Sequence, residues 1–255
     1  MRLGGKIIAR RVVFYVGIIA AWQIVFSLHL APQTVIPSPS DVGQALAKGV
    51  YDGSLLYGIG TSLLRLSAGL VIAIAAGIAL GIFIARFETM NQIIGPFLLG
   101  LQSIPSVAWV PLAFLWFGRT DGGIIFVTVI GALFAVAINT HSAIRAVPPT
   151  LVAAGRNMGA NGIQLIKDVI IPASFPQMIA GFKQGWSYAW RGVISAEVIF
   201  SVLGLGSLLN SGTKNNQIAE VISVLIIIMI IGVLVDGLVF KRLERTVLSR
   251  WGPVK

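Results

Sequence analysis

Several long stretches of the chain carry apolar side chains and no charge, and this feature constrains the fold more than any other. Leu66 to Ile84 is one such stretch, of 19 residues. As a helix rising about 1.5 Å per residue it would be roughly 28 Å long, close to the hydrocarbon thickness of a bilayer. No water reaches that region, so the backbone must satisfy its own hydrogen bonds there, and a helix does so within one segment. The sequence therefore predicts membrane-spanning helices.

Six apolar runs are long enough to cross a bilayer. Prolines interrupt the third run, and a few charged residues lie within the last two. The pattern predicts an all-α polytopic membrane protein with six transmembrane helices. We expect one membrane domain over residues 1–255, with a core at about 57–245. The runs are Val12 to Leu28, Leu66 to Ile84, Ile93 to Phe117, Ile124 to Thr140, Met178 to Phe200 and Val221 to Phe240.

The composition excludes several other classes of protein. Hydrophobic residues make up 56% of the chain and charged residues 11%, whereas soluble domains carry about 25% charged residues. A soluble enzyme could not cover its surface with so few charges, and a disordered chain requires low hydrophobicity. Cysteine is absent, which excludes disulfides and thiolate metal sites. A net charge of +10 would indicate nucleic acid in a soluble domain, but in a membrane protein it reflects Lys and Arg retained in cytoplasmic loops.

The distribution of basic residues predicts the orientation in the membrane. With the N-terminus inside, 13 of the 19 basic residues are cytoplasmic, and only Lys48, Arg119 and Lys214 lie outside. The positive-inside rule strongly favours this orientation, with both termini in the cytoplasm. The cytoplasmic set is Arg2, Lys6, Arg10, Arg11, Arg86, Arg145, Arg156, Lys167, Lys241, Arg242, Arg245, Arg250 and Lys255.

The third run contains the first candidate residues for a solute pathway. Pro105 and Pro111 each remove a backbone donor and disfavour a straight helix. A broken helix at membrane depth persists only where it is buried in protein or faces a water-filled cavity, and such breaks often mark a transport path. Gln102, Ser103 and Pro105 are therefore candidates for the pathway, and a simple kink is the alternative.

Charged residues at membrane depth supply the other pathway candidates. Arg191 and Glu197 lie deep in the fifth run, where a charge is costly unless it pairs or faces water. They project about 240° apart on a helical wheel, so they are not expected to pair with each other. They line the pathway or form structural ion pairs with other spans. Arg65 is a further candidate, at the outer start of the second span, where it is expected to reach the interface. Lys183 is expected to extend to the cytoplasmic surface.

Small residues recur every four positions in the second span. Ala73, Gly77 and Gly81 form a small-xxx-small pattern, which lets another helix backbone approach closely. The partner is either a helix of the same subunit or a second copy of the chain.

A long polar segment separates the fourth and fifth runs. Pro148 and Pro149 indicate a helix start, Gly159 interrupts the helical spacing, and Pro172 and Pro176 close the segment. The residues at about 146–172 therefore predict two short cytoplasmic helices with an elbow at Gly159. They either dock a partner or pack as a surface loop on their own spans.

This segment resembles the cytoplasmic signature of ABC importer permeases. The stretch from Val152 to Gly159, followed ten residues later by Val169 to Pro172, matches the position of the Gly and the Pro in that signature. Ala153 replaces the family's Glu, and Gly155 replaces its second Ala, which weakens any specific salt bridge to the ATPase. The residues that the resemblance assigns to ATPase coupling are Ala153, Ala154, Gly155, Arg156, Met158, Gly159 and Pro172.

Other segments resemble the permeases for nitrate, sulfonate, taurine and bicarbonate. They are Ile36 to Ser40, Ile104 to Gly118, and Ala196-Glu197 with Gly204 to Gly206. The resemblance implies a type I importer in the inner membrane of a prokaryote, with two permease copies, two cytoplasmic ATPase subunits and an extracytoplasmic binding protein that selects the solute. ATP and Mg would be bound by the ATPase, and this chain would carry no cofactor of its own.

The absence of other motifs agrees with a non-enzymatic subunit. The chain has no G-x-x-x-x-G-K-[ST] phosphate loop, so ATP must be hydrolysed on another chain. His29 and His141 are the only histidines, and the predicted topology places them on opposite sides of the membrane. A stand-alone secondary carrier that uses Arg191 and Glu197 for ion coupling is the alternative function. An intramembrane protease is more remote, because neither His lies at depth.

Overall fold

The computed structural model describes residues 2–29, 32 and 35–251, so Lys255 of the predicted cytoplasmic set lies outside them. Every regular element of the described chain is helical, as the apolar runs predict. The helices are α1 (Arg2–Ser27), α2 (Pro39–Tyr51), α3 (Ser54–Arg86), α4 (Glu88–Ser103), α5 (Val110–Phe117), α6 (Asp121–Arg145), α7 (Pro149–Asn157), α8 (Gly162–Leu165), α9 (Ile171–Phe200), α10 (Leu205–Lys214), α11 (Ile218–Leu234) and α12 (Lys241–Trp251). A 3₁₀ turn at Ser106–Trp109 and π turns at Ile166–Ile170 and Val235–Phe240 complete the order.

Five described helices are long and apolar enough to span a membrane, and a sixth span is formed if one bent pair is counted. The bent pair is Glu88–Ser103 with Ser106–Phe117, at an angle of 94°. The prolines of the third run thus produce a break in the helix. The second span is much longer than the uncharged run, because α3 begins at Ser54 and includes Arg65. Arg65 does not end the helix, because its charge is paired with a carboxylate inside the bundle.

The core of the bundle is formed by α3, α6 and α9. Gly77 and Gly81 of α3 face α6 closely. A Cβ added to Gly77 would lie 2.8 Å from the Val136 Cβ, and one added to Gly81 would lie 2.6 Å from the Ala137 oxygen. A Cβ at Gly185 of α9 would lie 2.7 Å from the Cγ2 of the same Val136. The small-xxx-small pattern of α3 therefore serves packing within the subunit.

Short helices that the hydropathy pattern did not predict cover one end of the bundle. We call this end, which carries α2 and α10, the α10 end, and the opposite end, which carries α7, the α7 end. Ser38 caps α2: its Oγ accepts from the Asp41 amide at 3.1 Å, and the Asp41 carboxylate accepts from the Ser38 amide at 2.9 Å. The Ile36 to Ser40 motif is thus a helix start of the capping-box type.

The first helix lies beside the bundle. Its span is exposed along its length, and the Trp22 indole donates a hydrogen bond to the Pro37 carbonyl at 3.0 Å. This contact joins α1 to the start of α2.

The close approach of α3 to α6 predicts that enlarging Gly77 destabilises the protein far more than enlarging Gly60, which lies in the same helix. Gly77→Leu is expected to lower the thermal unfolding midpoint in detergent, because overpacking of a tight interface costs about 1–3 kcal/mol or more. Gly60→Leu is the matched control, since an added Cβ there meets nothing within 4 Å. Equal midpoints for the two variants would contradict the packing described.

Candidate functional site

A cavity of about 490 Å³ lies where the broken span crosses α6 and α9. It brings together four residues expected on a solute pathway: Gln102, Ser103 and Pro105 from the break, and Arg191 from α9. These side chains come from sequence positions about 90 residues apart, so only the fold makes them neighbours. The other polar side chains that line the cavity are Ser106, Tyr188 and Ser195.

The break is formed by the local sequence and accommodated by glycines on the neighbouring helices. Helix α4 ends at Ser103, Ile104 is extended, and Pro105 has φ −56° and ψ 138°, which is not helical. The next residue, Ser106, packs against Gly131 of α6: a Cβ added to Gly131 would lie 3.3 Å from the Ser106 Cβ. One side of the irregular backbone therefore packs on α6 and borders the cavity, while Ser103, Ile104 and Pro105 are exposed in the single chain. At membrane depth such a backbone must be covered by protein or face a water-filled cavity.

Arg191 supplies the positive charge of this cavity. Its Nη2 donates to the Ser187 Oγ at 3.2 Å, and its guanidinium carbon lies 5.4 Å from the centre of the Tyr188 ring. The side chain is exposed and forms no ion pair among the described residues. No carboxylate of the described chain lines the cavity. A guanidinium has five N–H donors and stays charged, so this wall can bind or guide an anion.

Tyr188 and Ser195 were missed by the sequence reasoning. They lie three residues before and four residues after Arg191, which places them on the same face of the helix. This spacing was the sequence signal that could have identified Tyr188 and Ser195 as cavity residues. It becomes informative only once Arg191 is known to line a cavity, because Tyr and Ser also occur on buried faces of ordinary spans.

Arg65 and Glu197, the other two pathway candidates, lie in a separate buried cluster. The Glu197 side chain is 0% exposed, and its Oε1 lies 2.8 Å from the Arg65 Nη1. Ser62 donates to the same carboxylate at 2.7 Å, and the Gly206 amide donates at 3.0 Å. The second nitrogen of the Arg65 guanidinium lies 2.8 Å from the Asp121 Oδ1.

Arg65 and Lys183 were both expected to extend toward a membrane surface, and the structure gives each of them an ion-pair partner instead. Arg65 is 6% exposed and does not itself reach the interface: it bridges the buried Glu197 to Asp121, whose side chain is 67% exposed. Lys183 forms an ion pair with Asp236 of the π turn after α11 instead of simply extending to the surface. Arg191 and Glu197 do not pair with each other, as their wheel positions predicted.

The glycines after Glu197 make room for its carboxylate. A Cβ at Gly204 would collide with the carboxylate itself, and a Cβ at Gly206 would lie 2.5 Å from the Glu197 Cβ. The Gly204 to Gly206 motif therefore lets the start of α10 close over the charge cluster. The Leu205 amide, which donates to the Ser62 Oγ at 3.0 Å, completes this closure.

The predicted coupling segment forms an exposed helix at the α7 end. Ala153, Ala154, Arg156 and Met158 are exposed, and Met158 reaches 81%. Gly155 is buried, and a Cβ there would lie 2.8 Å from Val169. Gly155 thus allows α7 to pack on the π turn that precedes α9.

The elbow at Gly159 has the geometry of a helix C-terminus of the Schellman type. Gly159 has φ +92°, its amide donates to the Arg156 oxygen at 2.9 Å, and the Ala160 amide donates to the Gly155 oxygen at 3.0 Å. Only glycine adopts this left-handed backbone without strain.

Pro172 does not close the segment, contrary to expectation. The chain is helical from Gly162 to Phe200, and Pro172 lies in the first turn of α9. The preceding π turn has an i→i−5 hydrogen bond from the Ile171 amide to the Ile166 oxygen. This wider turn accommodates the proline ring, which an ordinary α-turn would exclude. The second coupling helix is therefore the extension of the fifth span.

No group of three or more metal-ligating side chains occurs among the residues that the structure describes. The candidate site is thus a cavity at a broken span, lined by apolar residues, several polar side chains and one guanidinium, together with an exposed helix at one end of the bundle.

The buried charge cluster predicts that Arg65 is needed for stability. Arg65→Met is expected to destabilise the fold by about 3–5 kcal/mol, because it leaves the Glu197 carboxylate buried without a counterion. Lys48→Met breaks the surface pair with Glu220 and should cost no more than about 1 kcal/mol. Thermal unfolding in detergent compares them. If Arg65→Met were as stable as Lys48→Met, Glu197 would not depend on this pair.

Comparison with known proteins agrees with the geometry. Residues 77–249 match the family described as the binding-protein-dependent transport system inner membrane component. An ABC transporter permease protein of Methanocaldococcus jannaschii is 37% identical over 72% of this chain and 69% of its own length. The aliphatic sulfonates transport permease of Bacillus subtilis is 30% identical over 92% of this chain and 84% of its own.

Further relatives and a solved structure extend the comparison. The taurine permease of Escherichia coli is 26% identical, over 97% of this chain and 93% of its own, and the nitrate import permease of Leptolyngbya laminosa is 28% identical, over 93% and 88%. The inward-facing MetNI methionine ABC transporter has a chain of the same fold, with a TM-score of 0.66, 18% identity, and coverage of 77% of this chain and 97% of that one. The chain therefore belongs to the family of binding-protein-dependent transport system inner membrane components, the multi-pass permeases of ABC transporters.

Proposed function

We propose that this permease imports a small oxyanion of the sulfonate, taurine, nitrate or bicarbonate type, driven by ATP on a separate subunit. The observation that carries the proposal is the cavity at the broken span, whose only charged lining residue in the described chain is Arg191. The names of the sulfonate, taurine and nitrate relatives agree with an anionic solute.

The charge of the cavity favours an anion over a cation. Two unit charges 4 Å apart interact by roughly 4 kcal/mol at an effective dielectric constant of 20. That energy corresponds to a factor of about 10³ in an equilibrium constant. Arg191 therefore lowers the barrier for a passing anion and raises it for a cation. Selection among anions is left to the extracytoplasmic binding protein that this family requires.

The α7 end is proposed to face the cytoplasm, with both chain termini on that side. Basic residues support this orientation, because Arg86, Arg145, Arg156 and Lys167 occur at the α7 end and Lys48, Arg119 and Lys214 at the α10 end. Cytoplasmic segments of membrane proteins are enriched in Lys and Arg.

The exposed side of α7 is proposed as the docking site of the ATPase. Ala153 stands where the family signature has Glu, so the contact would depend on shape and apolar side chains such as Met158 more than on a salt bridge. Nucleotide binding and hydrolysis on two ATPase subunits would then move the spans between inward-open and outward-open states. The ATP and Mg would belong to those subunits.

A second permease copy is proposed to complete the pathway. Arg191 is exposed in the single chain, and a charge at membrane depth must face water or a protein partner. A homodimer that brings two such cavities together would shield both guanidinium groups from lipid.

A stand-alone secondary carrier is less well supported. It would use Arg191 and Glu197 for ion coupling, and Glu197 is fully buried, paired with Arg65 and covered by the start of α10. An ion could reach this carboxylate only after the cluster had opened.

The elbow supplies a test of ATPase coupling. Gly159→Val forces a branched residue into a left-handed backbone, at a cost of about 1–3 kcal/mol. In proteoliposomes that contain the ATPase and the binding protein encoded beside this chain, ATPase activity stimulated by loaded binding protein should fall at least about tenfold. Gly53→Val is the matched control: its φ is +79°, but it lies at the α10 end.

Two results would contradict this assignment. Normal stimulation in the Gly159→Val variant would remove α7 as the docking site. Failure of any ATPase to co-purify with the wild-type chain would remove the ATP-driven mechanism itself.

The cavity supplies a separate test of the anion pathway. Arg191→Gln is expected to lower import of the transported anion at least about tenfold, since it removes the attraction of a full charge. Assembly with the ATPase should be unchanged. Arg119→Gln removes an exposed charge outside the cavity and should leave import within about twofold. Unchanged import in Arg191→Gln would eliminate the role of this residue.

A further inference from the structure

A row of polar side chains follows one face of α9 through the middle of the span. Gln184, Tyr188, Arg191 and Ser195 recur at intervals of four, three and four residues, so they share one face of the helix. At about 1.5 Å per residue, the row is roughly 16 Å long. It occupies about half the thickness of the hydrocarbon region.

Hydrogen bonds connect this row to the neighbouring helix. The Asn139 Nδ2 on α6 donates to the Gln184 Oε1 at 2.9 Å. The Gln184 Nε2 in turn donates to the Tyr188 Oη at 3.1 Å. The Tyr188 oxygen is thereby an acceptor in this network, and the phenol keeps its own proton for donation.

Tyr188 is held from a second direction by Arg191. The guanidinium lies over the Tyr188 ring at 5.4 Å from its centre, a distance at which cations attract aromatic faces. Both residues line the cavity, and Gln184 and Asn139 do not. Two residues that line one cavity therefore carry hydrogen-bond donors, a phenol hydroxyl and a guanidinium.

A purely structural role, in which these hydrogen bonds only attach α6 to α9, does not account for both of them. The Asn139–Gln184 bond joins the two helices, as polar residues often do in membranes. The Gln184–Tyr188 bond lies within α9 and adds nothing to the contact between helices. Its consequence is to fix the position of the phenol oxygen and leave the proton available.

We propose that Tyr188 contacts the solute, donating its hydroxyl proton to an oxygen of the anion whose charge faces Arg191, and that Gln184 and Asn139 are positioning residues that act through the Tyr188 oxygen. The inference rests on the proposed import of a small oxyanion. It gives a role to the polar side chains that share this face of α9.

The test measures the number of solute molecules imported per ATP hydrolysed. The full complex with its ATPase and binding protein is placed in proteoliposomes, with labelled taurine, ethanesulfonate and nitrate as probes. Tyr188→Phe keeps the ring under Arg191 and removes only the hydroxyl. Gln184→Met keeps the length of the side chain and removes its amide. Damage to folding or docking lowers import and ATP hydrolysis together, whereas loss of a solute contact lowers their ratio.

For Tyr188→Phe, import per ATP is expected to fall about tenfold, the effect of losing a hydrogen bond to a charged group. Gln184→Met is expected to reduce the ratio by about threefold. The double variant should match Tyr188→Phe, because Gln184 acts through the lost hydroxyl. Tyr57→Phe, at an exposed tyrosine of α3 outside the cavity, should leave the ratio unchanged.

Three outcomes would overturn the inference: an unchanged ratio in Tyr188→Phe, an unchanged ratio in Gln184→Met, or additive losses in the double variant. The wild-type complex tests the proposed function separately. If it imports none of these three probes, each of which carries an oxyanion group, and no bicarbonate, the proposed function fails and the inference falls with it.

Discussion

The absence of water from the bilayer core is the constraint on which the rest of this structure depends. A carboxylate, a broken backbone and a guanidinium all occur at membrane depth, and each needs either a partner inside the protein or a water-filled cavity. Glu197 is bound by Arg65, Ser62 and the Gly206 amide. The backbone around Pro105 is packed against glycine-bearing faces of α6 and α9. The positions of these partners determine where the helices can approach and where a cavity remains.

The same constraint separates structural charges from the charge proposed to act on the solute. Arg65 and Glu197 satisfy each other, and the cluster they form ties α3 and α9 to the start of α10. Arg191 has no carboxylate partner among the described residues and faces a cavity. An unpaired guanidinium on a cavity wall attracts anions, whereas a paired guanidinium in a closed cluster stabilises the fold. Charged residues that look equivalent in a hydropathy profile thus have different roles.

The shape of the α7 segment depends on one backbone conformation and one close contact. Ala153 and Gly155 stand where the signature that the segment resembles has an acidic residue and an alanine, and Gly155 packs on Val169. The left-handed Gly159 ends the helix. The elbow is therefore formed without the acidic residue.

The sequence alone determined the number of spans, the helical class, the break at Pro105, the small-residue face of α3 and the turn at Gly159, because these follow from local composition and backbone chemistry. Only the tertiary structure decided which charges pair. Arg65 and Glu197 are 132 positions apart, and neither local spacing nor hydropathy contains that contact. For the same reason Tyr188 and Gln184 could not be distinguished from ordinary span residues until Arg191 had been located on a cavity. Pro172 was misjudged because local sequence did not predict the π turn before it, whose Val169 packs on Gly155 of α7.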